Sequence, residues 1–252
     1  MLFLQTEEGK IMLKKQNLIE KIRIINGSWL KIIAIVSMLI DHIAYLVLPH
    51  FDLFSEPVEF LGEEFTIIKI CRLIGRLAFP IFAFLITEGF SHTKNPKKYG
   101  INLLAFAVVS EIPYNLFLSG KLFNFDSQNV FFTLFLGFLA IYVLDNVKID
   151  LEKAIYIFGI IVAAMLVKCD YGAKGVILIV FLHLLKNQLP LASVLSYGVL
   201  SGGLAAWCAF VPINMYNGKR GFIKGNVLKY FFYAFYPVHM LILFAIKKFI
   251  LL

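Results

Sequence analysis

The sequence predicts an all-α integral membrane protein, a polytopic bundle of about eight transmembrane helices, with nine as the alternative count. Of the 252 residues, 60% are hydrophobic and 16% charged, against about 45–50% and about 25% in soluble domains. The mean hydropathy is +0.82. The apolar residues also gather into runs that approach the roughly 20 helical residues needed to cross a hydrocarbon core. The net charge of +8 sits mostly in short segments beside those runs, where Lys and Arg set topology and meet anionic lipid. It therefore points to a bilayer and not to nucleic acid. Cys71, Cys169 and Cys208 are too few and too scattered for a disulfide framework or a zinc site, and no metal is expected.

Residues 1–28 read as a basic, weakly amphipathic segment at the membrane surface, and residues 29–252 as the bundle. The opening stretch lacks the uninterrupted apolar core and small-residue cleavage site of a signal peptide. The first span is expected over Leu30–Leu48, with Lys10, Lys14, Lys15, Lys21, Arg23 and Lys31 at or before its start. That bias puts the N-terminus in the cytoplasm. The following loop carries Asp52, Glu56, Glu59, Glu63 and Glu64, with no basic residue before Lys69, as expected of an outer loop.

The second span, Ile67–Phe90, delivers the chain to the basic loop SHTKNPKKYG. Lys69, Arg72 and Arg76 share one face of it at i, i+3 and i+7, with Gly75 and Pro80 beside them. An arginine in a span costs at least roughly 2.5–3.5 kcal/mol, so it turns inward and finds a partner. Span three, Ile101–Leu118, holds Glu111 next to a helix break expected at Pro113. Span four is Asn129–Val147. Spans five (Ala154–Val167) and six (Val176–Leu185) are short, joined by the turn CDYGAKG. Span seven is Leu191–Val211 and span eight Tyr230–Leu251. An eight-span count leaves YNGKRGFIKGNVLK outside despite Lys219, Arg220, Lys224 and Lys229, against the positive-inside tendency. Either the count is off by one or that loop is basic for a functional reason.

Counting along each span at about 1.5 Å per residue puts Asp41, His42, Arg76, Glu111 and His239 at a shared depth near mid-membrane. The bundle interior is the affordable place for such groups. Each has a bland reading. Asp41 can simply neutralise Arg72 or Arg76, His239 can be a core histidine, and Lys31 can be an interfacial anchor. Together, histidines, carboxylates and arginines suit general base catalysis beside an anion clamp. The expected chemistry is acyl transfer in which His42, oriented by a carboxylate, deprotonates an amine or hydroxyl. No nucleophile motif, Walker loop, Rossmann glycine fingerprint or HExxH motif is present.

At LKIIAIVSMLIDH (Leu30–His42), RLIGRLAFPIFAFLITEG (Arg72–Gly89), SEIPYN (Ser110–Asn115), NVFFTL (Asn129–Leu134), CDYGAKG, YNGKRG and FYAFYPVHMLIL (Phe232–Leu243), the chain resembles the TraX family. These are membrane proteins named for the conjugal-transfer protein that acetylates the pilin N-terminus. The family in turn is similar to multi-spanning acyltransferases that modify surface sugars. The resemblance implies a bacterial inner-membrane N- or O-acetyltransferase taking acetyl-CoA from the cytoplasm to a protein N-terminus or a surface glycan. It implies His42 as base, His239 as a second site histidine and donor binding by Arg72 and Arg76; from their places in the spans, Asp41 and Glu111 join the catalytic set and Lys69 and Lys31 the donor-binding set. Two rivals remain open from sequence: a proton- or anion-coupled transporter, and a non-catalytic partner in surface assembly.

Overall fold

A computed structural model describes residues 20–60, 63–200 and 203–251. The expected basic segment lies largely outside the described residues, Lys10, Lys14 and Lys15 among them. The first helix, α1 (Gly27–Leu46), starts earlier than its apolar run because Asn26 caps it. The Asn26 Oδ1 accepts from Ser28 N at 3.0 Å and Trp29 N at 3.2 Å, satisfying two amides that a helix start leaves bare. The acidic loop forms a short antiparallel hairpin, β1 (Val58–Phe60) and β2 (Glu63–Phe65), with Val58 opposite Phe65.

The run expected as one second span is two helices, α2 (Ile67–Gly75) and α3 (Ala78–His92). Pro80 accounts for the division. It has no N–H to offer the carbonyl of Arg76 four residues back, so the ladder ends there. By contrast α4 (Pro96–Ser119) runs straight through Pro113, and the expected break is absent. Asn95 caps its start, and Gly120 at φ 71° ends it in the left-handed region.

The helices α5 (Val130–Asn146), α6 (Asp150–Leu166) and α7 (Gly172–Leu184) follow. The expected seventh span is instead an antiparallel out-and-back of short helices, α8 (Leu189–Val199), α9 (Gly203–Trp207) and α10 (Phe210–Asn214). Tyr197 meets Trp207 edge-on, and Asn214 Nδ2 donates to Ser193 Oγ at 2.7 Å, one contact at each end of the hairpin. The last helix, α11 (Asn226–Ile246), closes with a π-helical turn over Lys247–Leu251. Among the described residues, four segments are long and apolar enough to cross a membrane: Gly27–His50, Ile67–His92, Pro96–Ser119 and Asn226–Leu251. The chain is a nearly all-helical membrane protein.

The basic loop before α11 lies on the face where α1 begins. Ile25 N donates to Met215 O, Asn217 N to Ile25 O, Gly27 N to Lys219 O and Ser28 Oγ to Arg220 O, all at 2.8–3.1 Å. Gly221, at φ 85°, sits so close over the Asn26 and Ser28 side chains that a Cβ there would collide with both. The loop and the start of α1 therefore share one face of the bundle, and their expected placement on opposite sides does not hold.

Leu30, Ile81, Phe84, Leu103, Ile141, Ile179, Phe210 and Met240 form a continuous core through the bundle. On α6, Ile155, Phe158, Met165 and Leu166 are exposed apolar groups, the surface expected to face lipid.

Candidate functional site

Two histidines meet where α1 and α11 lie side by side. His42 Nδ1 is 2.6 Å from His239 Nε2, and the rings are coplanar within 2° with centroids 4.9 Å apart. They meet edge to edge, the geometry of an in-plane hydrogen bond. His239 Nδ1 lies 2.7 Å from the Phe235 carbonyl one turn back. These contacts fix the protons of the neutral pair. A carbonyl only accepts, so His239 Nδ1 carries a hydrogen and its Nε2 a lone pair. His42 Nδ1 must then donate, which leaves the lone pair of His42 on Nε2. That nitrogen has no hydrogen-bond partner among the described residues, and His42 is partly exposed while His239 is buried. Phe117 and Tyr236 flank His42, with ring centroids at 4.9 Å and 6.4 Å.

Asp41 is one residue along, hence about 100° round the helix. It faces α2, where Arg72 Nη1 donates to Asp41 Oδ2 at 3.1 Å. Gly75 makes the approach possible, since a Cβ there would run into the Asp41 side chain. The Arg72 guanidinium also lies over the Tyr45 ring, 5.0 Å from its centroid. The carboxylate expected to orient His42 is thus engaged elsewhere, and a histidine fills that position. Arg76 is exposed within electrostatic reach of Asp41. Lys69 is also exposed, over the Phe65 ring at 4.6 Å.

Glu111 is held by α5 and not by an arginine. Its Oε2 accepts from Asn129 Nδ2 at 2.6 Å, and the same amide donates to Ala107 O at 2.7 Å. Asn129 also caps α5, so one side chain ties the start of α5 to the middle of α4. The turn between α6 and α7 is drawn in beside it. Gln128 N donates to Lys168 O at 3.0 Å, Asp170 N to Gln128 O at 2.8 Å, and the Thr133 hydroxyl to Asp170 O. Tyr171 stacks on Phe79. Asp170 feels both Asp41 and Arg72. Non-helical backbone at this level is tolerated where protein or water covers it. Glu111 and both histidines lie about 20–22 Å along their helices from the face where α1 begins. Their shared depth holds, though helix starts earlier than the apolar runs put it beyond the middle.

A cavity of about 610 Å³ opens on that same face. Lys31, Lys94, Lys98, Arg220 and Lys229 line it with Glu88, and its deeper wall is apolar and aromatic, including Met38, Phe131, Tyr233 and Tyr236. Met38 is one turn before His42 on α1 and Tyr236 one turn before His239 on α11, so the cavity stops about one turn short of the histidine pair, neither of which lines it. Burial, with the Glu88 carboxylate close by, pushes the Tyr216 phenol in its wall well above its ordinary range. Of the four residues expected to bind donor, Lys31 lines this cavity, while Lys69, Arg72 and Arg76 are not among its lining. Lys94 and Lys98 read from sequence as charges of an inner loop, Arg220 and Lys229 as part of a loop either miscounted or basic for a functional reason, and Tyr236 and Asn129 carry no sequence signal of a site role. Only the oddly placed basic loop gave a signal.

The family model described as TraX protein matches residues 26–247. A "Probable fimbrial assembly protein FimC, serogroup H1" from Dichelobacter nodosus is 30% identical over 253 residues, covering 88% of this chain and 95% of that protein. No solved structure matches. The family match begins at the Asn26 cap of α1 and ends just beyond α11, taking in both histidines, the Asp41–Arg72 pair and the cavity, and the chain belongs to the TraX family.

Proposed function

We propose that the chain is an inner-membrane acetyltransferase in which His42 is the general base and acetyl-CoA the donor. The observation that carries this reading is the proton order Phe235 O, His239, His42. It leaves one imidazole lone pair without a partner among the described residues, about one helical turn beyond the end of a cavity. A neutral imidazole is a competent base near neutral pH. His42 Nε2 takes the proton of an acceptor N–H or O–H as that atom bonds to the acetyl carbonyl carbon. The carbon–sulfur bond breaks, and the imidazolium returns the proton to the departing thiol. His239, buried with both nitrogens engaged, is a positioning residue that holds His42 in the required tautomer.

The basic groups support a cytoplasmic assignment for the face where α1 begins. Arg23, Lys31, Lys94, Lys98, Lys219, Arg220 and Lys224 gather there, and the acidic hairpin loop is separated from them by α1. The relative named for fimbrial assembly favours a surface-fibre subunit as acceptor, through its N-terminal amine, over a glycan hydroxyl. The test is to reconstitute the protein, add labelled acetyl-CoA with a pilin-type N-terminal peptide or a surface glycan, and follow the label. Label on the peptide amine supports the reading. No labelled product from any acceptor, together with solute movement across the vesicle, would favour a transporter instead.

A further inference from the structure

The five basic side chains at the cavity mouth form an uncompensated cationic ring. Lys31, Lys94, Lys98, Arg220 and Lys229 come from α1, the α3–α4 turn, α4, the loop before α11 and α11. None of them is in an ion pair among the described residues, and Glu88 is the one acidic residue in the lining. Arg220 repels both Lys31 and Lys229, and Lys98 repels Lys229. Like charges held this close cost stability unless an anion joins them. The start of α4, a 24-residue helix capped by Asn95, adds the positive end of its dipole at the same rim. Behind the ring the wall turns apolar over about 16 Å from Gly27 to Met38 along α1. The geometry fits an elongated amphiphile with a phosphorylated head and a slender arm.

We infer that this ring is the seat of the phosphates of a nucleotide thioester, with the arm running down the aromatic wall towards His42. The identity of the arm rests on the transferase reading, whereas the phosphate seat rests on the ring itself. An anionic lipid headgroup offers the same phosphate chemistry and would fill the same wall with its chains. The two sources separate in discs of zwitterionic lipid. There, titration calorimetry of the full chain should detect coenzyme A, and pantetheine, which lacks the phosphates, should bind far more weakly. Lys98→Gln and Arg220→Gln should each weaken coenzyme A about tenfold or more and leave pantetheine unchanged. Arg220 holds Ser28 through its backbone carbonyl, so its side-chain variant keeps that contact, and an unchanged melting temperature confirms the fold. His42→Ala should bind coenzyme A like the wild type.

Coenzyme A affinity unaffected by both rim variants would overturn the inference, even if acetyl transfer is observed. So would a failure of coenzyme A to bind while anionic lipid is retained by the wild type and lost from the variants. Binding that depends on the ring, in a protein that transfers no acetyl group, would leave this site standing and remove the transferase reading.

Discussion

Replacing His239 with alanine tests the proton order directly. The change removes the acceptor for His42 Nδ1–H and leaves the Phe235 carbonyl without its side-chain donor. His42 can then rotate or adopt the other tautomer, with its lone pair on the wrong nitrogen. A buried hydrogen bond of this kind is worth about 1–3 kcal/mol. If that energy is used mainly to hold the base, turnover falls about 5- to 150-fold. Removing the base itself should cost roughly 10²–10⁴-fold, so His239→Ala should be the milder variant. The assay is acetyl transfer with donor and acceptor each varied, so that kcat and KM are resolved. His239→Ala should lower kcat by the smaller of these factors and leave the donor KM near wild type, while His42→Ala should lower kcat further. A His239→Ala enzyme weaker than His42→Ala would refute the order and exchange the two roles.

Other perturbations follow from the same contacts. Arg72 is 39% exposed, so its pair with Asp41 is screened and worth about 1 kcal/mol or less; thermal melts should show Arg72→Gln with Asp41→Asn no worse than Arg72→Gln alone. Gly75→Ala drives a Cβ into Asp41 and should lower stability by about 1–3 kcal/mol, read as a fall in detergent melting temperature. Glu111→Ala leaves one N–H of the Asn129 amide without its acceptor while the bond to Ala107 O remains, and should cost about 1–3 kcal/mol, whereas Glu111→Gln keeps an acceptor oxygen and should melt closer to wild type. Single cysteines placed at Lys224 and Arg23 should react with an impermeant thiol reagent from one side of the membrane, and a cysteine at Glu56 from the other. Labelling of Lys224 and Glu56 positions from the same side would contradict the path of the chain.

The all-helical membrane class was legible from composition, and family membership from motifs strung along nearly the whole chain. Of the five groups expected to converge at one depth, Asp41, His42, Glu111 and His239 were legible because the cost of a polar group in lipid leaves few places for it; Arg76, expected to turn inward, is exposed at the break after α2. What escaped were events that hydropathy does not encode. Helix starts are set by Asn26, Asn95 and Asn129, polar caps outside or at the edge of the apolar runs. The break after Gly75 depends on the missing N–H of Pro80, while Pro113 leaves α4 intact; the dipeptide pattern is too similar to tell them apart. The seventh apolar run is two antiparallel legs, Leu189–Val199 and Gly203–Asn214, which hydropathy does not separate because both are apolar. Taken as one span, they put YNGKRG on the side opposite the start of α1. Partner choice escaped too, since a depth count puts His239 and Asp41 equally near His42 and only helix rotation chooses between them.

The most direct test of His42 as the base is thiol release from acetyl-CoA in the presence of acceptor, with coenzyme A binding measured on the same preparation. If His42 is the base, His42→Ala binds coenzyme A as the wild type does and releases thiol roughly 10²–10⁴-fold more slowly. Thiol release at the wild-type rate by a folded His42→Ala protein would contradict that role.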